Sequence, residues 1–166
     1  MTGPLDDYLV DPTLSLLDKT RIQAQVLVPV LRGLRAELGR DKVDVIVKQA
    51  LREWSKRLFT AIADGIEGSP RQKWAAIQSV FGEVSGREVE FQILRHDDEG
   101  LDIDVTRCRF AEFFHALDEP ELGALLICAA DFDIVAAGDG EVSLERAQTI
   151  MQGAPRCAFR YRFAPR

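Results

Sequence analysis

Histidine and cysteine are scarce in this chain, with two and three copies in 166 residues. An odd number of widely spaced cysteines makes a poor disulfide framework and suits reduced thiols. No Cys-x-x-Cys pair is present, so the spacing by which zinc sites are recognised is missing. Long apolar runs are missing too. The longest uncharged ones, Gln23 to Leu31 and Leu122 to Ala130, fall far short of the ~20 residues that cross a bilayer, which excludes a membrane-spanning helix. Nor is there an excess of basic residues. With 27 acids against 21 bases the net charge is −6, the wrong sign for covering a phosphate backbone, and nucleic acid is excluded as a partner. A dinucleotide fingerprint, a Gly-Lys-Ser/Thr phosphate loop and a Gly-x-Ser-x-Gly elbow are all absent, and no cofactor is called for. The opening Met-Thr-Gly-Pro-Leu-Asp-Asp has neither a basic region nor an apolar one of the secretory kind, so the expected location is cytoplasmic.

What is there suffices for one folded domain over residues 1–166: 46% of the residues are hydrophobic and 29% charged. Residues 1–14, with Pro4, Pro12 and paired acids around Tyr8, have no periodicity and read as an extended arm. Residues 15–83 read as helical. Ile22, Val26, Val30, Leu34 and Leu38 recur every fourth residue with Leu27 and Leu31 beside them, Pro29 predicts a kink, and Gly39 a stop. Asp41 is placed to cap a second helix, whose apolar face would run through Val43, Ile46, Val47, Leu51, Trp54, Leu58 and Ile62 to Gly65. Ser69-Pro70 then opens a third helix with Trp74, Ile77, Val80 and Phe81 on its buried side.

From Gly86 the period changes to two. Val89, Phe91 and Ile93, a turn at Asp97 to Gly100, and Leu101, Ile103 and Val105 predict a β-hairpin. Helices follow over Arg109 to Leu117 and Pro120 to about Ala130. A strand opens at Val142 and Leu144, and a last one runs through Cys157, Phe159, Tyr161 and Phe163. Residues 87–166 thus have the order ββααββ. The fold class is α+β: a helical N-terminal half, then an antiparallel β-sheet covered by helices.

Few residues carry chemistry. His96, beside an acidic turn, reads as a surface histidine. His115, behind two phenylalanines on a helix, is either a hydrogen-bonded histidine at the core's edge or a general acid or base. The other candidates lie in the last sixty or so residues: Cys108 at a strand's end, Cys128 and Asp131 three apart on one helix, and Cys157 opening the last strand. Spacing of three puts the Cys128 thiol and the Asp131 carboxylate on one face. The cysteines are equally candidates for core packing, and with Asp131 or His115 for a zinc site. Cys108 stands between Arg107 and Arg109, and that setting would lower a thiol's pKa and make it the most reactive of the three.

Several of these stretches form a pattern. Val105-Thr-Arg-Cys108 runs on through Phe110 to His115; then come Pro120-Glu-Leu-Gly123 to Cys128-Ala-Ala-Asp131, Leu144-Glu-Arg146, and Gly153-Ala-Pro-Arg-Cys157-Ala-Phe-Arg160. The chain resembles the L-2-amino-thiazoline-4-carboxylic acid hydrolase family, in which a helical half precedes a strand ending in cysteine, a Cys-x-x-Asp element, a strand with an arginine and a Gly-x-x-x-Cys-x-Phe ending. Gln148 departs from it, standing where a small hydroxyl residue is expected.

The resemblance implies a hydrolase acting on a C–N or C–S bond of a small carboxylate-bearing cyclic amidine or amide. Either a cysteine attacks the amidine carbon or Asp131 activates water. Arg146 and Arg160 would hold the carboxylate, which a guanidinium fork matches in two hydrogen bonds. Two other readings stand beside it: a non-catalytic small-ligand binding or sensory domain, and a zinc-supported interaction module. Each leaves homo-oligomer formation open.

Overall fold

The computed structural model describes residues 13–165, so the arm expected over residues 1–14 lies almost wholly outside the described residues. Helix α1 spans Leu16–Leu38 and starts where the Ser15 hydroxyl accepts from the Asp18 backbone N–H at 3.0 Å, the usual capping chemistry. Helix α2 spans Arg40–Asp64. Gly39 alone joins the two, with φ at +84°, a conformation that suits glycine, and no side chain caps α2. Asp41, the expected cap, is already inside the helix. The Arg35 guanidinium locks the joint through two hydrogen bonds to Asp44, both 2.8 Å. Helix α3, Pro70–Ser85, begins with the Ser69–Gln72 capping box.

Strands β1 (Val89–His96) and β2 (Gly100–Cys108) form the expected hairpin. Helix α4 (Arg109–Ala116) follows Cys108 with no loop between. A long helical stretch comes next: α5 (Pro120–Gly123), a π turn over Ala124–Cys128, α6 (Ala130–Ile134) and a 3₁₀ turn to Gly138. Strand β3 (Val142–Glu145) and strand β4 (Cys157–Phe163) complete an antiparallel sheet of order β1-β2-β4-β3. The fold is α+β, as the change of period predicts.

Sheet register sets the two faces, because partners directly opposite share one. Val105 pairs with Cys157, Ile103 with Phe159, and both Leu101 and Leu144 with Tyr161, giving an apolar face under the helices. Asp102, Asp104, Arg160 and Arg162 make the opposite face, tied by ion pairs of Arg160 and Arg156 with Asp104 and of Arg162 with Asp102. β1 lies at the edge, and its Phe91 and Ile93 stay 46% and 55% exposed.

The core has two lobes. One gathers Leu17, Val28, Leu31, Phe110, Phe114, Leu122 and Met151; the other gathers Phe59, Trp74, Ile77, Ile134, Val142 and Tyr161. α1 turns a different face inward from the one its most regular stripe suggests. Leu17, Thr20, Ala24, Val28 and Leu31 are buried, whereas Ile22, Val26, Val30, Leu34 and Leu38 are 41–65% exposed. The helix runs unbroken through Pro29, which faces outward. α2 is rotated likewise, burying Val43, Ser55, Phe59 and Ala63 and leaving Ile46, Trp54 and Ile62 exposed.

Candidate functional site

Where the two lobes meet, the π turn ends on Cys128 and α6 begins. A π turn holds one residue more than an α turn, and such turns concentrate at functional sites. Asp131 sits in the first turn of α6 and takes an ion pair from the Nη1 of Arg146, the residue just after β3. Arg146 is 7% exposed along its side chain and Asp131 31%. The guanidinium lies against two rings, 4.8 Å from the Phe132 centroid and 5.4 Å from that of Phe159. Its Nε–H is buried with no hydrogen-bond partner among the described residues. A buried donor left unpaired costs about 1–3 kcal/mol, so a ligand oxygen accepting from it would recover that cost.

Burial raises the Asp131 carboxyl to about 6, against the downward pull of Arg146. The neighbouring thiols move the same way. Cys128 is pushed up to about 12, first by burial and then by the Asp131 charge, with Arg146 opposing. Cys108 is raised by burial and by Cys157 and Asp131, although the backbone N–H groups of Ala111 and Phe110 draw it down. Cys157 is raised by burial too, while the Ile150 N–H donates to its Sγ at 3.2 Å. Tyr161 completes the group: its hydroxyl accepts from Gln78 Nε2 at 2.8 Å, and burial lifts its pKa.

The structure therefore brings Cys108, Cys128 and Cys157 within electrostatic reach of Asp131, and Cys128 and Cys157 within that of Arg146. It does not bring the other two candidates there. Arg160 is on the far face of the sheet, committed to Asp104 at 2.7 Å and to the Ile103 carbonyl. His115 is exposed on α4, its Nε2 3.3 Å from the Ile150 carbonyl, and it meets Cys157 only through that residue's backbone. The arginines flanking Cys108 are occupied as well: Arg107 by Glu112 and Glu90, Arg109 by Glu88. The Cys108 thiol is raised, with burial the first cause. Among the described residues no three histidine, cysteine or acidic side chains are grouped to hold a metal ion.

A cleft of about 690 Å³ opens onto Cys128 and Arg146. Lys48, Leu51, Arg52, Trp54 and Ser55 of α2 form one wall, and Leu125, Leu126, Phe132 and Asp133 the other. Asp133 is raised by burial, with Arg52 3.9 Å away and the Ser55 hydroxyl donating to it. Sequence alone did not nominate this α2 wall, whose Lys48 and Arg52 look like ordinary surface cations. Phe132 and Gln78 carried no signal either. Phe159 and Tyr161 were visible only as members of an apolar alternation.

Comparison with known proteins adds to this geometry. The phenol-responsive sensory domain of the transcription activator PoxR, solved with phenol, shares the fold at a TM-score of 0.50 and 12% identity, over 82% of this chain and 72% of that one. A trafficking protein particle complex subunit 3 from Naegleria fowleri, covalently bound to palmitic acid, aligns at a TM-score of 0.49 and 13% identity, over 87% of this chain and 97% of that one. No curated protein matches the sequence. The family model for L-2-amino-thiazoline-4-carboxylic acid hydrolase matches residues 19–161, and the chain belongs to that family.

Proposed function

We propose that this protein hydrolyses a C–N or C–S bond in a small, carboxylate-bearing cyclic amidine or amide, with Asp131 as the proton-transferring group. The observation that carries this reading is the Asp131–Arg146 pair, whose carboxyl is raised to about 6 at the end of a π turn beside Cys128. A carboxylate in that range is ionised at neutral pH yet basic enough to take a proton from water. The chain neighbours of Asp131, Ala130 and Phe132, line the cleft.

In the step proposed, a water oxygen bonds to the amidine carbon as the carbon–nitrogen π pair moves onto the nitrogen, and Asp131 takes one of the water's protons. Return of that pair re-forms the double bond and breaks the ring C–N or C–S bond, and the proton passes from Asp131 to the departing nitrogen or sulfur. Cys128, held as a thiol with its pKa near 12, favours water over a thiolate as the nucleophile. The Arg146 Nε–H is the donor left for a substrate oxygen, and the rings of Phe132 and Phe159 flank it.

A second reading, a small-ligand sensory domain, draws support from the fold shared with the phenol-responsive domain and from the apolar walls of the cleft. One experiment separates them. A panel of carboxylated cyclic amidines and amides is incubated with the parent and with Asp131→Asn, and loss of substrate is followed beside thermal melting. Turnover by the parent that falls ~10²-fold or more in a folded variant supports catalysis through Asp131. Undiminished turnover in the variant removes Asp131 from the mechanism, and binding without turnover by the parent favours the sensory domain.

A further inference from the structure

The cleft beside Asp131 holds more positive charge than its acids offset, in a chain whose net charge is −6. Lys48, Arg52 and Arg146 line it, together with Asp44 and Asp133. Asp44 is committed elsewhere, to two 2.8 Å hydrogen bonds from Arg35. Arg146 is balanced by its ion pair with Asp131. Asp133 stands 3.9 Å from Arg52 and accepts from the Ser55 hydroxyl, so that acid offsets one cation of the α2 wall. Lys48 is left over. It makes no hydrogen bond or ion pair among the described residues, and its charge is felt at Asp133.

We propose that Lys48 and Arg52 seat the carboxylate of the ligand that enters this cleft, with Lys48 supplying the uncompensated charge. The assignment rests on the cleft being the substrate site, as read above, and names the residues that select an anionic substrate there. Helical spacing favours it. Lys48, Arg52 and Ser55 follow at steps of four and three and share one face of α2, and two long side chains one turn apart can converge on a single carboxylate. The arginines expected to do this are otherwise engaged. Arg160 is on the far face of the sheet with Asp104. Arg146 offers a hydrogen bond from its buried Nε–H, but its charge is already offset by Asp131. With the carboxylate on α2, that Nε–H is left for an oxygen at the reacting end. Leu51 and Trp54 on the α2 side, and Phe132 opposite, give the attached ring an apolar setting.

The test is a binding measurement that needs no turnover. Thiazole-4-carboxylate and its uncharged analogue thiazole-4-carboxamide are titrated calorimetrically into the parent and into Lys48→Gln, Arg52→Gln, the double variant, Lys48→Arg and Lys42→Gln. The parent should bind the carboxylate at least ~5-fold more tightly than the carboxamide, the scale of an accessible ion pair. Each glutamine substitution at Lys48 or Arg52 should shrink that preference, and the double variant should lose it, while carboxamide binding holds. Lys48→Arg, which keeps the charge, and Lys42→Gln, on α2 outside the cleft, should retain it. A parent that binds neither probe or does not prefer the carboxylate, a preference that survives in the double variant, or an equal loss for both probes would overturn the assignment. Hydrolysis is decided separately by the Asp131→Asn comparison, so failure of the anion seat and failure of the catalytic reading are told apart.

Discussion

Arg146 reaches Asp131 from fifteen positions further along the chain, so one ion pair fastens the end of β3 to the start of α6. The carboxylate is drawn two ways: burial favours its protonated form and Arg146 its ionised form, and burial wins.

That balance sets a pH dependence. If Asp131 accepts the proton, kcat/KM should be flat above neutrality and fall tenfold per unit below about 6, where the carboxyl is already protonated. A pH–rate profile with no acid limb between pH 5 and 7 would contradict this.

Replacing Arg146 should cost stability in a pH-dependent way. In Arg146→Met the carboxyl loses its cation, and its folded-state pKa should climb above 6. That value already exceeds the ~3.9 of an unfolded chain, so the folded state binds the proton more tightly and stability declines as pH rises through this range. The loss should be about 3 kcal/mol at pH 8, where an unpaired charge is held in place, and much less at pH 5, where the group is neutral. Urea titrations at the two pH values measure the difference.

All three thiols should be sluggish. Because burial raises each of them, Cys108, Cys128 and Cys157 should alkylate more slowly in the folded protein than in the denatured one at pH 7.5, Cys128 slowest of all. Peptide mapping after limited labelling gives the order. Rapid labelling of Cys108 would restore the reading in which its flanking arginines activate it.

Gly123 is placed to feel a single methyl group. A Cβ there would lie 2.5 Å from the Met151 sulfur and 2.6 Å from Phe114 Cγ, and Phe114 and Met151 are each only 1% exposed. Gly123→Ala should lower stability by about 1–3 kcal/mol, seen as a lower melting temperature. Gly82→Ala, with nothing within 4 Å, should not.

Periodicity made the order of elements readable, since the change from four to two at Gly86 separates helices from hairpin. Ser69-Pro70 marked a helix start correctly. What periodicity could not say is which apolar face turns inward. α1 carries two, and the more regular, Ile22 to Leu38, is the outer one. The candidate site was legible in part. Cys128 and Asp131 are neighbours in sequence, whereas Arg146 came from the resemblance, as a holder of a substrate carboxylate, and its ion pair with Asp131 had no signal in the spacing. Arg160 shares the last strand with Cys157, but an odd separation puts it on the other side of the sheet, where Asp104 takes it. Cys108 shows the limit of counting charges along a chain, because its flanking arginines point to carboxylates and away from the thiol.

The π turn at Ala124–Cys128 works as a one-residue spacer. Because the π turn holds one residue more than an α turn, removing one residue from it would restore the α-helical period and leave α6 facing nearly as before. Asp131 would keep its side of the helix, and the change would be confined to the widened turn beside Cys128. The extra residue therefore shapes the wall next to the Asp131–Arg146 pair without setting the direction in which Asp131 points.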